Sequence, residues 1–298
     1  MRMGAYQVRR APRHAAARVR GLEMHLTRWG PPASDSSPPV LLLHGWQDTG
    51  DTFQFMVDRF ARDWPLVAPD WRGFGRSEWP QEGYWFQDYF ADLDALLDEL
   101  SPDAPVALVG HSMGGNVASI YAGLRPQRVR CVADLEGFGL PRTAPEQAPV
   151  QLAKWLDQVK SAPVSKDYES VAQLASVIQY RYPRLSEAQA GFVAAAWSRP
   201  EGGRVRPSSD SRHRWVNPVR YHREDAEACW RLVKAPMLML IGDESDYLPK
   251  LGADGSDEAI RSIIPHIEIV HIAGAGHMLH IERAEVVAPL VERFLLSA

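Results

Sequence analysis

Two kinds of hydrophobic pattern alternate along the chain. Val40-Leu41-Leu42-Leu43, Leu66-Val67-Ala68, Pro105-Val106-Ala107-Leu108-Val109 and residues 237–241 are short runs that are apolar throughout. Runs this short have strand length, and apolar side chains at consecutive positions mean that both faces are covered. Val129–Leu135 and Ile267–Ile272 add further strands. Between them, residues 88–100 place Phe90, Leu93, Leu96, Leu97 and Leu100 at helical spacing, and residues 284–296 predict a terminal helix. Strands alternating with helices predict an α/β fold, a mostly parallel central sheet covered by helices. An alternating segment over residues 18–26 predicts a hairpin ahead of the first buried strand.

The pattern changes between residues 139 and 234. Prolines become frequent, helical segments fall around 150–159, 171–180 and 186–197, and no buried strand interrupts them. This predicts a core built from residues 1–138 and 235–298, with a mainly helical cap (139–234) inserted over the carboxyl edge of the sheet. Chemistry gathers at that edge in open α/β sheets. Residues 204–223 carry six arginines against one acid, Asp210. They read as a solvated basic surface, or alternatively as a guide for anionic, carboxylate-bearing substrates. Trp155, Trp197, Trp215 and Trp230 read as packing, with a bulky or aromatic ligand as the alternative.

One strand end carries a chemical signature. Gly110-His111-Ser112-Met113-Gly114 follows the run ending at Val109 and precedes a helix-compatible stretch. A serine hydroxyl is a weak nucleophile, and Gly-x-Ser-x-Gly between a strand and a helix forms a nucleophile elbow that pushes it into a cleft. The Met113 amide, at the helix start, is then free to face an oxyanion. His277, in the small-residue loop Gly274-Ala275-Gly276-His277, follows the strand ending at Ile272 and is the candidate base. His280 reads as packing or as a helix-start partner. Two strand ends offer a carboxylate to orient the base: Asp246, after residues 237–241, and Glu136, after Leu135. Spacing does not choose between them; Asp246 is preferred, because the loop after the penultimate strand is the usual place. His44-Gly45-Trp46 follows Leu43, with Gly45 permitting a tight turn and the Trp46 amide as second oxyanion donor. His44, Gly45, Trp46 and His111 are the candidate pocket residues. The glycine-rich turn 72–77 reads as structural.

Composition removes several classes. A formal charge of −4 argues against a nucleic-acid partner, and no apolar stretch has the length of a membrane span. Two distant cysteines fit neither a disulfide scaffold nor a metal site, and the histidines lack ligand spacing, so no metal and a cytoplasmic location are expected. Six arginines and no acid within the first 22 residues imitate a targeting peptide. The strand-like continuation and the lack of an apolar core argue against one. The sequence sets no oligomeric state.

Together, His44-Gly45-Trp46, the segment Asp70-Trp71-Arg72-Gly73-Phe74-Gly75-Arg76-Ser77, residues 110–115 and Gly276-His277 resemble the α/β-hydrolase superfamily over nearly the whole chain. Residues 44–53 with the elbow resemble its serine-hydrolase-like, capped esterase branch. Residues 135–141 resemble the segment carrying the catalytic glutamate in some haloalkane dehalogenases, but those enzymes and epoxide hydrolases carry aspartate where this chain has Ser112. The resemblance implies a cofactor-free Ser-His-acid hydrolase acting on a small-molecule acyl substrate, first of all a carboxylic ester. The same triad also serves C–C hydrolases, lactonases and perhydrolases, and a hydrolase-like ligand-binding protein is the non-enzymatic alternative.

Overall fold

The computed structural model describes residues 5–161 and 163–298. Ten strands and ten helices follow in chain order: β1 (Arg13–Val19), β2 (Leu22–Trp29), β3 (Val40–Leu43), α1 (Gln54–Val57), β4 (Leu66–Pro69), α2 (Phe86–Leu100), β5 (Val106–His111), α3 (Met113–Leu124), β6 (Val129–Leu135), α4 (Ala148–Gln158), α5 (Val171–Arg181), α6 (Glu187–Ala196), β7 (Ser198–Glu201), β8 (Arg204–Pro207), α7 (Arg223–Trp230), β9 (Met237–Gly242), α8 (Asp257–Ile263), β10 (Ile267–Ile272), α9 (Leu279–Glu282) and α10 (Ala284–Ser297).

Eight strands form one sheet in the order β1-β2-β4-β3-β5-β6-β9-β10. The hairpin β1-β2 and its neighbour β4 pair antiparallel, and all other pairs are parallel. Every residue of β3, β4, β5 and β9 is buried, as uninterrupted apolar runs demand when helices cover both faces. On one face, Leu93, Leu96 and Leu97 of α2 pack with Val117 and Tyr121 of α3. On the other, Val287, Ala288 and Val291 of α10 pack against Leu42, Val109 and Leu240. A fully buried apolar side chain contributes about 1.5–3 kcal/mol, so these two layers fix the strand ends firmly.

The glycine-rich turn at residues 72–77 is braced by charge. Arg72 donates 2.6 Å to the buried Asp92 of α2, and the buried Asp70 accepts from the Gly50 and Arg76 amides.

Between β6 and β9 the chain leaves the sheet. Helices α4, α5 and α6 fall where the sequence places them, but two features differ. The hairpin β7-β8 interrupts the helices; its residues are largely exposed, so no apolar run announces it. The last helix, α7, lies against the core: Trp230 is buried, stacks on Phe138 at 4.3 Å and donates to Ser119 Oγ of α3. Gly123 of α3 makes room for the Cys229 carbonyl there. Arg223–Trp230 therefore packs with the core rather than with the helices over the sheet edge.

Candidate active site

The turn from β5 into α3 holds Ser112 at φ 51°, ψ −112°. A non-glycine residue occupies such a conformation at a cost of about 1–3 kcal/mol, sustained by its surroundings. Here the surroundings are backbone packed on backbone. A Cβ at Gly114 would strike the Leu43 carbonyl of β3, and one at Gly110 would strike the backbone of Gly114 and Gly115. The Ser112 amide donates 2.9 Å to the Leu135 carbonyl, tying the turn to the end of β6.

The loop after β10 brings His277 to this turn. Its Nε2 lies 2.9 Å from Ser112 Oγ, and its Nδ1 lies 2.6 Å from Glu136 Oε2. Glu136 is fully buried and, like Ser112, has a positive φ, 61°. Its Oε1 accepts from the Gly242 amide at 2.6 Å, and its Oε2 accepts from Ser245 Oγ at 2.6 Å. A buried carboxylate satisfied on both oxygens holds one orientation and fixes the imidazole tautomer through Nδ1–H.

Asp246, the preferred carboxylate on sequence grounds, does not reach His277. Its side chain is 79% exposed and pairs with Lys250 at 2.6 Å, one helical turn on, which holds its pKa down. The loop after β9 does reach the candidate base, but through Ser245 binding Glu136. That hydroxyl carries no sequence signal.

The expected pocket residues divide. Trp46 is half-exposed and lines two cavities that meet at it. Gly45 lies under His111 and Ser112, where a Cβ would come within 2.8 Å of His111 Nδ1. His44 is not a pocket residue. It is fully buried, its Nδ1 donates to the Gly45 carbonyl at 2.7 Å, and its Nε2 accepts from the Trp71 amide at 2.9 Å. Burial holds its pKa down, so this neutral ring is a brace beneath the loop.

His111 borders the nucleophile cavity and also acts as a brace, its Nε2 donating 2.8 Å to the His277 carbonyl. Burial, with His280 and His277 close by, pushes its pKa well below the ordinary range. His280 is buried beside Asp48, with Nε2 3.7 Å from Oδ2. Asp134, buried under the elbow near Glu136, has its pKa pushed up to about 8 by desolvation.

Several contacts carry no sequence signature. Tyr247 packs 5.0 Å from the His277 ring and donates to the Gly139 carbonyl at 2.5 Å. Asn116 donates 3.2 Å to the Ser112 carbonyl and accepts from the Gly139 amide. Trp197, at the end of α6, donates 2.6 Å to Asp48 Oδ1 and so ties the inserted segment to the loop after β3.

The nucleophile cavity, about 350 Å³, contains Ser112 and His277 with Gln47, Tyr168, Ile178 and Tyr182. A second, about 330 Å³, lies beyond Trp46 and Met113 and is walled by Trp85, Phe86, Trp155 and Trp215. The Trp46 and Met113 amides have no acceptor among the described residues.

Residues 38–284 match the model of the alpha/beta hydrolase fold family. The chain belongs to that family. A serine hydrolase-like protein of Danio rerio is 27% identical, covering 90% of this chain and 83% of its own. The 2-(acetamidomethylene)succinate hydrolase of Mesorhizobium japonicum is 26% identical, covering 87% and 88%. Among solved structures, the thioesterase domain from the curacin biosynthetic pathway superposes with a TM-score of 0.83 at 29% identity, covering 94% of this alpha/beta hydrolase and 99% of that chain. No helix among the described residues is long and apolar enough to cross a membrane.

Proposed function

We propose that this alpha/beta hydrolase cleaves a carboxylic ester or a related acyl bond through an acyl-enzyme. The observation that carries the reading is the unbroken chain Ser112 Oγ to His277 Nε2 (2.9 Å) and His277 Nδ1 to Glu136 (2.6 Å). His277 takes the hydroxyl proton as Ser112 Oγ attacks the carbonyl carbon. The amides of Trp46 and Met113 hold the resulting oxyanion, each worth about 3 kcal/mol in the transition state. His277 then protonates the departing alcohol, and water, deprotonated by the same imidazole, releases the acid. Glu136 stabilises the imidazolium in both halves. The segment 139–222 acts as a lid that excludes water and selects the substrate.

A second reading, another acyl or carbon–carbon bond cleaved by the same three residues, draws on the relative that hydrolyses 2-(acetamidomethylene)succinate. The test is labelling by a fluorophosphonate probe together with turnover of short p-nitrophenyl esters. Wild-type protein is expected to label and turn over, and Ser112→Ala to do neither. Labelling of Ser112→Ala would place the nucleophile elsewhere, and labelling without turnover of any acyl substrate would leave a binding protein.

A further inference from the structure

The two cavities beside Trp46 differ in charge. The cavity beyond Met113 is aromatic, and its one arginine, Arg212, is neutralised by Asp210 at 2.6 Å. The nucleophile cavity is lined by three cations from separate stretches of chain: Lys166 from the loop before α5, Arg181 at the end of α5, and Arg214 after β8. None of the three has a carboxylate partner among the described residues. The groups they do meet are uncharged: the Lys166 ammonium lies 5.6 Å over the Tyr168 ring, the Arg181 guanidinium 5.5 Å over the Tyr182 ring, and Arg214 donates 2.9 Å to the Val164 carbonyl.

Some other arginines of the inserted segment are paired, though among the described residues Arg204 and Arg220 are not. Arg206 meets Asp167 at 3.0 Å, Arg142 meets Glu224 at 2.7 Å, and Arg184 meets Glu244. The one acid bordering the nucleophile cavity, Asp48, is buried, and its Oδ1 is occupied by the Thr49 amide, Thr52 Oγ1 and Trp197 Nε1. A chain of net charge −4 thus places three exposed cations without carboxylate partners on the wall of the cavity that holds Ser112. A partly enclosed wall strengthens such a field on a bound anion relative to open water.

We propose that this cavity selects esters or thioesters that carry a negative charge, carboxylate or phosphate, away from the scissile carbonyl, and that Lys166, Arg181 and Arg214 bind that charge. The proposal rests on the acyl-transfer reading above and names its substrate class. The neutral, bulky remainder of the substrate belongs in the aromatic cavity across Trp46.

The test compares matched pairs. Mono-p-nitrophenyl adipate against p-nitrophenyl hexanoate places a carboxylate on the acyl side. Hexanoyl 4′-phosphopantetheine against hexanoyl pantetheine places a phosphate on the thiol side. The charged member of at least one pair is expected to have the higher kcat/KM by about tenfold or more. That ratio should fall towards one in Lys166→Gln/Arg181→Gln and shrink as sodium chloride is raised. Preference in the first pair alone identifies a carboxylate, and in the second alone a phosphate; either supports the proposal. Turnover of the neutral members with no preference in either pair overturns it and leaves acyl transfer standing. If nothing is turned over and Ser112 does not label, the acyl-transfer reading falls, and calorimetry on Ser112→Ala decides the cation site separately. Saturable binding of monomethyl adipate but not dimethyl adipate, or of 4′-phosphopantetheine but not pantetheine, lost in the added Lys166→Gln/Arg181→Gln changes, supports it; equal binding or none in both pairs overturns it.

Discussion

The carboxyl edge of β5, β6 and β9 and the segment folded over it are built on different principles. At the sheet edge, backbone packs against backbone. Gly110, Gly114 and Gly137 each sit where a Cβ would collide with main chain, and Glu136 has both oxygens bound at 2.6 Å. Over the edge, α4 has no buried residue, and its Val150 is 73% exposed. Helices α5 and α6 bury Leu174, Ile178, Val193 and Ala194 with Phe55, Met278 and Ile281, and the rest of the segment is held by single contacts such as Trp197 to Asp48 and His213 stacked between Phe74 (3.9 Å) and Tyr84 (3.6 Å). Tight main-chain packing fixes atoms to the tolerance that proton transfer needs. Packing by side chains rather than main chain leaves the overlying segment more tolerant of change.

The sharpest way to break that contrast is to exchange the two candidate carboxylates. Glu136→Gln keeps shape and removes charge from the rigid edge, and is expected to lower kcat by about 10⁴, the scale for losing the group that orients a catalytic histidine. Asp246→Asn, on an exposed side chain paired with Lys250, should change kcat less than about threefold. Steady-state kinetics on a p-nitrophenyl ester checks both. A dead Asp246→Asn beside an active Glu136→Gln would overturn the geometric assignment.

Next in size is the elbow itself. Gly114→Ala drives a methyl into the Leu43 carbonyl, which as backbone of a central strand has nowhere to go. A loss of about 2–3 kcal/mol is expected from such overpacking, read as a lowered denaturant midpoint at unchanged slope. Little change would mean that the edge yields as readily as the segment folded over it.

The same contrast explains what could be read from residues alone. The sheet was legible because burial on both faces writes an uninterrupted apolar run, as in Val40-Leu41-Leu42-Leu43, and the elbow because its glycines are a local steric need. The acid was not. Asp246 and Glu136 both follow buried strands, and what separates them is the positive φ of Glu136 and the donors Gly242 and Ser245, more than a hundred residues away in sequence. His44 misled for a related reason, since adjacency to the oxyanion loop does not say which way a ring turns. The hairpin β7-β8 and the docking of α7 on α3 escaped because exposed strands and a short mixed helix leave no periodic trace. Of the six arginines between residues 204 and 223, Arg206, Arg212 and Arg223 meet acids, and Arg214 borders the nucleophile cavity. Pairing of this kind is a property of three dimensions.

A smaller effect probes the join between the regions. Desolvation between two aromatic rings pushes the His213 pKa down to about 3. Below the unfolded value of about 6.5, the unfolded chain binds a proton that the folded one refuses, so stability falls as pH drops from 6.5 towards 3. His213→Phe preserves the stack and removes this term. Relative to wild type, it should gain about 2 kcal/mol between pH 7 and pH 4.5, measured by urea denaturation at the two values. An equal pH dependence in both proteins would show that the join opens to water before the fold unfolds.

The smallest prediction turns the glycine argument around. Gly191 lies inside α6, and a Cβ added there would meet nothing within 4 Å, unlike one at any glycine of the elbow. Alanine there limits the unfolded chain and suits the helix, so Gly191→Ala is expected to stabilise by about 0.5–1 kcal/mol, a rise of a few degrees in Tm. The identical change, glycine to alanine, would then destabilise at position 114 and stabilise at position 191. A loss at Gly191 instead would mean that α6 packs as tightly as the sheet edge, and the division of labour between a rigid chemical edge and a permissive wall would have to be redrawn.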